Sequence, residues 1–157
     1  MNLYVHFPFC RRKCAYCALY SLAGRDKKFR DGYALKIADA IRKISGSFKS
    51  VYFGGGTPSL IGSDNIAKIM GHIKRTSDCE ATLECNPSDT GSINSDFNFS
   101  VVAKSGINRI SMGLQSADNY ERKILGRFGF PPSIIPDVKM RYAVAARHIK
   151  PADIANS

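Results

Sequence analysis

Leu3-Tyr4-Val5-His6-Phe7-Pro8-Phe9-Cys10-Arg11-Arg12-Lys13-Cys14-Ala15-Tyr16-Cys17 joins a strand directly to a loop of thiols. Leu3, Val5 and Phe7 share one face of the strand, with other residues between them, which is the period-two pattern of a strand. The loop then spaces its cysteines as C-x3-C-x2-C. Three thiolates on one short loop can wrap a cubane iron–sulfur cluster and ligate three of its irons, leaving the fourth open to another ligand. Arg11, Arg12 and Lys13 offset the negative charge that such a cluster carries. The same cysteines with His6 as a fourth ligand also read as a zinc knuckle. Zinc sites usually show two separated ligand pairs, so the spacing favours the cluster. Cys79 and Cys85 read as small buried or partly buried residues, and His6, His72 and His148 as structural.

Outward from this stretch, strands and helices alternate. Phe29, Tyr33, Ile37, Ile41 and Ile44 recur at helical spacing and predict a helix over Lys27 to Ser45, capped by Asp26 and ended by Gly46. Ser50 to Phe53 is a short apolar strand that runs into Gly54-Gly55-Gly56-Thr57-Pro58. A helix over Asp64 to Lys74 follows, with Ser63 as cap and Ile66, Ile69, Met70 and Ile73 as its buried face. Ala81 to Cys85 is the third strand, stopped by Asn86-Pro87. A weaker helix over Asn94 to Lys104 uses Phe97, Val101 and Val102. The fourth strand is Ile107 to Leu114, and Ser116 caps a short helix through about Leu125.

Alternating strands and helices imply parallel pairing with helices outside the sheet. Each unusual loop follows a strand: the cysteines, the glycines, Glu84-Cys85-Asn86-Pro87, and Gln115-Ser116. In a parallel sheet or barrel these positions gather at the carboxyl edge, where ligands bind. The glycine run lacks β-carbons, so its backbone N–H and C=O groups can approach a ligand. Glu84, at a strand end, could accept hydrogen bonds from ribose hydroxyls or an amine.

Composition sets wider limits. The chain has 157 residues, 44% apolar and 23% charged, as in an ordinary globular domain. The net charge of +10 suits an anionic partner. Its basic residues are scattered, so no nucleic acid is expected. No apolar run reaches the length of a membrane span, and the N-terminus lacks a secretory signal, which makes the cytoplasm the expected compartment. Five cysteines in such a chain argue against a disulfide framework.

Taken together, Tyr4 to Cys10 with Cys14, Tyr16 and Cys17 resembles the radical S-adenosylmethionine (SAM) signature C-x3-C-x-aromatic-C. The closest resemblance is to the oxygen-independent coproporphyrinogen III oxidases and their relatives, the HemW-type haem chaperones. Members with a fourth nearby cysteine carry it two residues after the third. Leu19 stands there, which favours the HemW-like branch. The resemblance implies an α/β fold, a partial (β/α)6 TIM-like barrel with about four of six βα units. It implies a [4Fe–4S] cluster on Cys10, Cys14 and Cys17, and SAM contacts from Tyr4, Tyr16, Gly55, Gly56, Thr57, Glu84, Gln115 and Arg127. Gly54 to Pro58 is similar to the family's GGGTP loop, Glu84 to its E-x-[ND]-P acid, and Asn108 to Ser116 to its NRISxGxQS strand. No further catalytic residue follows from it.

The implied chemistry is reductive cleavage of SAM to methionine and a 5′-deoxyadenosyl radical. In the oxidase branch, coproporphyrinogen III propionates become vinyl groups; in the chaperone branch, haem is bound and passed on. The implied partners are a porphyrinogen or haem and an electron donor. The match runs over residues 2 to about 127. Residues 128–157 form a Pro-rich, basic tail of no assigned fold, so the core is expected to be truncated, with an unpaired edge on its fourth strand. A truncated chain without activity is a third reading.

Overall fold

The described residues of the computed structural model are 1–89, 96–113, 115–116, 119–126 and 141–144. In chain order they form β1 (Asn2–Phe7), β2 (Phe9–Cys10), β3 (Leu22–Ala23), α1 (Lys27–Arg42), β4 (Phe48–Gly55), α2 (Ser63–Gly71), β5 (Arg75–Cys85), α3 (Phe99–Lys104), β6 (Arg109–Met112), α4 (Asn119–Ile124) and β7 (Arg141–Val144). Five strands make one sheet in the order β1-β4-β5-β6-β7. Every neighbouring pair in it is parallel. Spatial order follows chain order without a switch, so successive crossovers stay on one side of the sheet. That is the wall of a (β/α) barrel rather than a doubly wound sheet. The expected α/β architecture, a partial barrel, is therefore observed.

Register explains which face is covered. Val5 pairs with Phe53, Phe53 with Leu83, and Leu83 with Ile110, giving one straight row across four strands. All four are buried, in one core cluster with Ala34, Ala38 and Ile41 of α1, Ile66, Ile69 and Met70 of α2, and Val102 of α3. Burying each large side chain contributes about 1.5–3 kcal/mol. Alternation sends the intervening residues to the opposite, concave face. There Tyr4, Tyr52, Thr82 and Arg109 form one cross-strand row, and Glu84 stands opposite Ser111. The covered face is apolar and the open face polar.

Local chemistry sets the helix ends. Asp26 caps α1, its Oδ1 accepting the Phe29 N–H at 2.8 Å. The helix stops at Arg42, three residues short of the expected end, and Gly46 follows at φ +98°. Its buried stripe also differs from the sequence expectation. Ala34, Ala38 and Ile41 face the core, while Phe29 and Ile44 are exposed. Small alanines let the helix axis approach the sheet, so the largest apolar side chains end up at the margin.

α2 starts at Ser63 after a cap at Gly62 that makes no side-chain hydrogen bond. Ser63 is therefore not the cap; its hydroxyl donates to Asn98 O at 3.1 Å. Asn98 is the cap of α3, accepting from Ser100 N–H at 2.8 Å. That places the start of α3 at Phe99 rather than Asn94, which itself lies outside the described residues. β4 and β5 extend beyond the predicted strands, and β6 ends at Met112. Asn108 ties β5 to the start of β6, its amide donating to Cys79 O at 2.9 Å and its Oδ1 accepting from Ala81 N–H at 2.8 Å. The expected open edge is also corrected: β7 pairs in parallel with β6, from Arg109 opposite Arg141 to Met112 opposite Val144. The ladder on β6 continues into the segment expected to have no assigned fold.

Candidate functional site

All four loops that follow strands border one cavity of about 260 Å³. Tyr16, Cys17 and Leu19 come from the cysteine loop, and Gly55, Gly56 and Thr57 from the end of β4. The opposite wall is Glu84, Cys85 and Asn86 after β5, with Ser111, Met112, Gly113 and Gln115 from β6 onward. Asn86, Ser111, Met112 and Gly113 carried no assigned role in the sequence reading. Tyr4 does not line the cavity; it stands 57% exposed on the concave face of β1. Arg127 lies outside the described residues.

The three glycines are required for three different reasons. A β-carbon on Gly54 would come within 2.8 Å of the Tyr52 ring and 3.0 Å of the Tyr4 ring. Gly55 has φ +116°, and a β-carbon there would meet His6 at 2.7 Å. On Gly56 it would lie 2.5 Å from the Phe9 carbonyl oxygen and 2.9 Å from Cys10 Sγ. The glycine loop thus packs against the cysteine loop with no room between them. Two of its N–H groups, expected from the sequence to approach a ligand, are instead used within the fold. Gly55 N–H donates to Glu84 Oε2 at 3.0 Å, and Gly56 N–H to Phe7 O at 2.7 Å.

Glu84 is tied on both oxygens, because Tyr52 OH donates to its Oε1 at 2.7 Å. Burial, and then Glu84, push the Tyr52 phenol up to about 12. Tyr4 is raised for the same two reasons in the same order. Tyr4 OH also hydrogen-bonds His6 Nδ1 at 3.1 Å, an interaction that competes with any use of that ring nitrogen as a zinc ligand. Gln115 is the one non-glycine described residue with positive φ, at +71°. A strained backbone on a cavity wall is the kind of feature functional sites retain. Arg109, unassigned from sequence, pairs with Glu80 at 3.0 Å at the surface. Ser116 bonds Glu121 inside α4, a contact made across that turn rather than the expected helix cap.

The cysteine loop is fastened at its two ends. Phe9 and Cys10 pair in parallel with Leu22 and Ala23, and Leu22 N–H donates to Pro8 O at 2.6 Å. Cys17 N–H closes a turn onto Cys14 O at 3.1 Å, and the Thr57 hydroxyl points to Cys10 Sγ at 3.8 Å. Cys10, Cys14 and Cys17 are free thiols of intermediate exposure. Among the described residues, no three His, Cys, Asp or Glu side chains converge as a metal-holding group. The donor set nonetheless suits an iron–sulfur cluster: three thiols on one loop, one of them pressed against a glycine that leaves no space for a side chain.

The family model for the radical SAM superfamily matches residues 4–134. The chain belongs to the radical SAM superfamily. Among radical SAM relatives, the bovine protein named radical S-adenosyl methionine domain-containing protein 1, mitochondrial, is 35% identical over 133 residues, covering 80% of this chain and 29% of that protein. Heme chaperone HemW of Haemophilus influenzae is 34% identical over 140 residues, covering 81% and 36%. HemW of Buchnera aphidicola is 36% identical over 125 residues, covering 74% and 32%. Among solved structures, coproporphyrinogen III oxidase (HemN) from Escherichia coli, described as a radical SAM enzyme, superposes with TM-score 0.69 at 25% identity. That match covers 82% of this chain and 31% of HemN. The HemN/HemW-type resemblance is thereby shown, and the chain spans about a third of the length of the curated relatives it matches. No described helix is long and apolar enough to cross a membrane.

Proposed function

We propose that this chain provides the cluster-and-SAM portion of a haem-handling radical SAM protein of the HemW type. Cys10, Cys14 and Cys17 would hold a [4Fe–4S] cluster, and the adjoining cavity would take SAM. The observation that carries this reading is the convergence of four post-strand loops on one cavity, with Tyr16 and Cys17 on one wall and Glu84 and Gln115 on the other. When bound, the cluster supplies one electron and SAM the hydrogen-abstracting adenosyl group.

The chain's own residues bind, orient and exclude water. Gly56 seats the cysteine loop, and Thr57 donates toward Cys10. Glu84, each of whose oxygens accepts one internal hydrogen bond, presents its remaining lone pairs to ligand N–H or O–H groups. Gln115 offers an amide from a strained turn. Tyr4, away from the cavity, supports the Tyr52 ring, and Arg127 is retained as a proposed SAM contact by resemblance. Porphyrin or haem and an electron donor are the proposed partners. Leu19 at the place of the fourth cysteine, and relatives named HemW at 34% and 36% identity, favour the chaperone branch. The HemN fold match supports oxidase chemistry as the second reading.

Anaerobic iron–sulfur reconstitution followed by EPR with and without SAM tests the common part. A spectrum changed by SAM is expected. Iron-free protein carrying one zinc would overturn the cluster reading. Haem titration, run beside coproporphyrinogen with SAM and reductant, separates the branches: haem retained without decarboxylation marks the chaperone.

A further inference from the structure

The concave face carries a closed circuit of contacts around Gly55. The His6 ring lies where a Gly55 side chain would begin, at 2.7 Å. Gly55 N–H donates to Glu84 Oε2 at 3.0 Å, and Tyr52 OH donates to Glu84 Oε1 at 2.7 Å. The Tyr52 ring stacks on Tyr4, centroids 6.0 Å apart and planes 21° from parallel. Tyr4 OH closes the circuit on His6 Nδ1 at 3.1 Å. Tyr52 belongs to none of the motif positions assigned from sequence, yet it is the member that joins the aromatic half of this circuit to the acid in the cavity wall.

We infer that Tyr52 is a positioning residue for ligand binding, acting through Glu84. A glutamate at a strand end has rotatable side-chain bonds and would lose that freedom on meeting a ligand. With one oxygen on a backbone N–H and the other on a phenol, the carboxylate plane is set before the ligand arrives. Each oxygen has two acceptor sites, so one on each stays available. The donor is also dependable: the Tyr52 phenol is half-sheltered, and its raised pKa keeps it protonated throughout the neutral range. Gly54 is what lets the ring sit there, since any side chain at that position would strike both tyrosine rings. Preorganisation of this kind raises affinity by lowering the ordering cost of binding.

The inference rests on the SAM reading, and its test separates the two. SAM affinity of the reconstituted 157-residue chain is measured by equilibrium dialysis for wild type, Tyr52→Phe, Glu84→Gln and the double variant, with a thermal melt of each. Tyr52→Phe keeps the ring stack and removes only the donor. The expected result is about a tenfold loss of affinity, the size of one hydrogen bond to a charged group, with no further loss when Tyr52→Phe is added to Glu84→Gln. Glu84→Asp keeps the charge but draws it back from the phenol, and is expected to bind no better than Tyr52→Phe. This variant carries the test if Tyr52→Phe melts too low to assay. Wild-type affinity in Tyr52→Phe, full affinity in Glu84→Asp, or a Tyr52→Phe loss that persists undiminished without Glu84 would each overturn the positioning role. A wild-type chain that takes up iron but does not bind SAM would end the parent reading, and this one with it.

Discussion

The glycine loop is held by its own backbone and packing on each flank, whereas the neighbouring cysteine loop is paired at its two ends and, between them, is tied through side chains, Arg12 to the Gly126 carbonyl and Lys13 to the Leu19 carbonyl among them. Around Gly54–Thr57, two backbone N–H groups are satisfied by Glu84 and Phe7, and three ring systems fill the space a side chain would need. Between Arg11 and Tyr20, every residue is exposed except Cys14 and Cys17. The first loop reaches its geometry from hydrogen bonding and packing. The second has fixed ends, a turn at Cys14–Cys17, exposed side-chain ties from Arg12 and Lys13, and, among the described residues, thiols that do not gather as a metal-holding group. The contrast fits a site in which one wall is preorganised and the other is organised by the group it binds.

Breaking the open wall has the largest expected effect. Replacing Cys10, Cys14 and Cys17 by alanine should abolish iron uptake on anaerobic reconstitution, with the melt of the apoprotein shifted by no more than about 1 kcal/mol. Iron and sulfide assays beside a thermal melt read both. Retained iron would remove the distinction between the loops. Hydrogen exchange sharpens the same comparison: cluster loading should slow amide exchange across residues 11–20 and leave Gly55 and Gly56, whose N–H groups are already bonded, nearly unchanged.

On the closed wall, Gly56→Ala should cost about 1–3 kcal/mol in urea unfolding, because its new methyl meets a backbone carbonyl and a thiol at once. A pH effect follows from Tyr52. The folded phenol, pushed up to about 12, stands above the ordinary tyrosine value of about 10. The stability this contributes is complete below the unfolded value and is lost as pH rises toward the folded one. Unfolding free energy should therefore fall between about pH 10 and 12, and fall less steeply in Tyr52→Phe. The smallest effect is a control away from both walls. Gly32, inside α1 with nothing within 4 Å of a built β-carbon, should tolerate alanine with a gain of about 1 kcal/mol.

Much of this was legible before any coordinates. Leu3, Val5 and Phe7 announced a one-faced strand, Asp26 announced a helix start, and the alternation of elements announced a parallel sheet with its unusual loops on one rim. These are local signals, set by residues a few positions apart. The apolar stripe of α1 matches the observed face at Ile41, with Tyr33 and Ile37 packed at its margin, but large apolar residues mask the part played by Ala34 and Ala38, and Phe29 and Ile44 fall outside. How near a helix can approach a sheet is not written in its own periodicity. Ser63 looked like a cap because it precedes an apolar face, but a contact with Asn98 engages its hydroxyl. The pairing of β6 with β7 escaped because the intervening prolines spoke against a helix and said nothing about a strand further on.

The sequence by itself determined the order of elements, the spacing of three thiols on one loop and the alternation that leaves one strand face polar. Periodicity and residue type act over a few residues and need no partner. Only the tertiary structure decided that Glu84 is shared between Tyr52 and Gly55, that three adjacent glycines answer to three different neighbours, and that the Gly55 and Gly56 amides are used internally. Those facts depend on the parallel register that sets Tyr4 beside Tyr52 and Tyr52 beside Thr82, where one step of slip would turn every side chain to the other face.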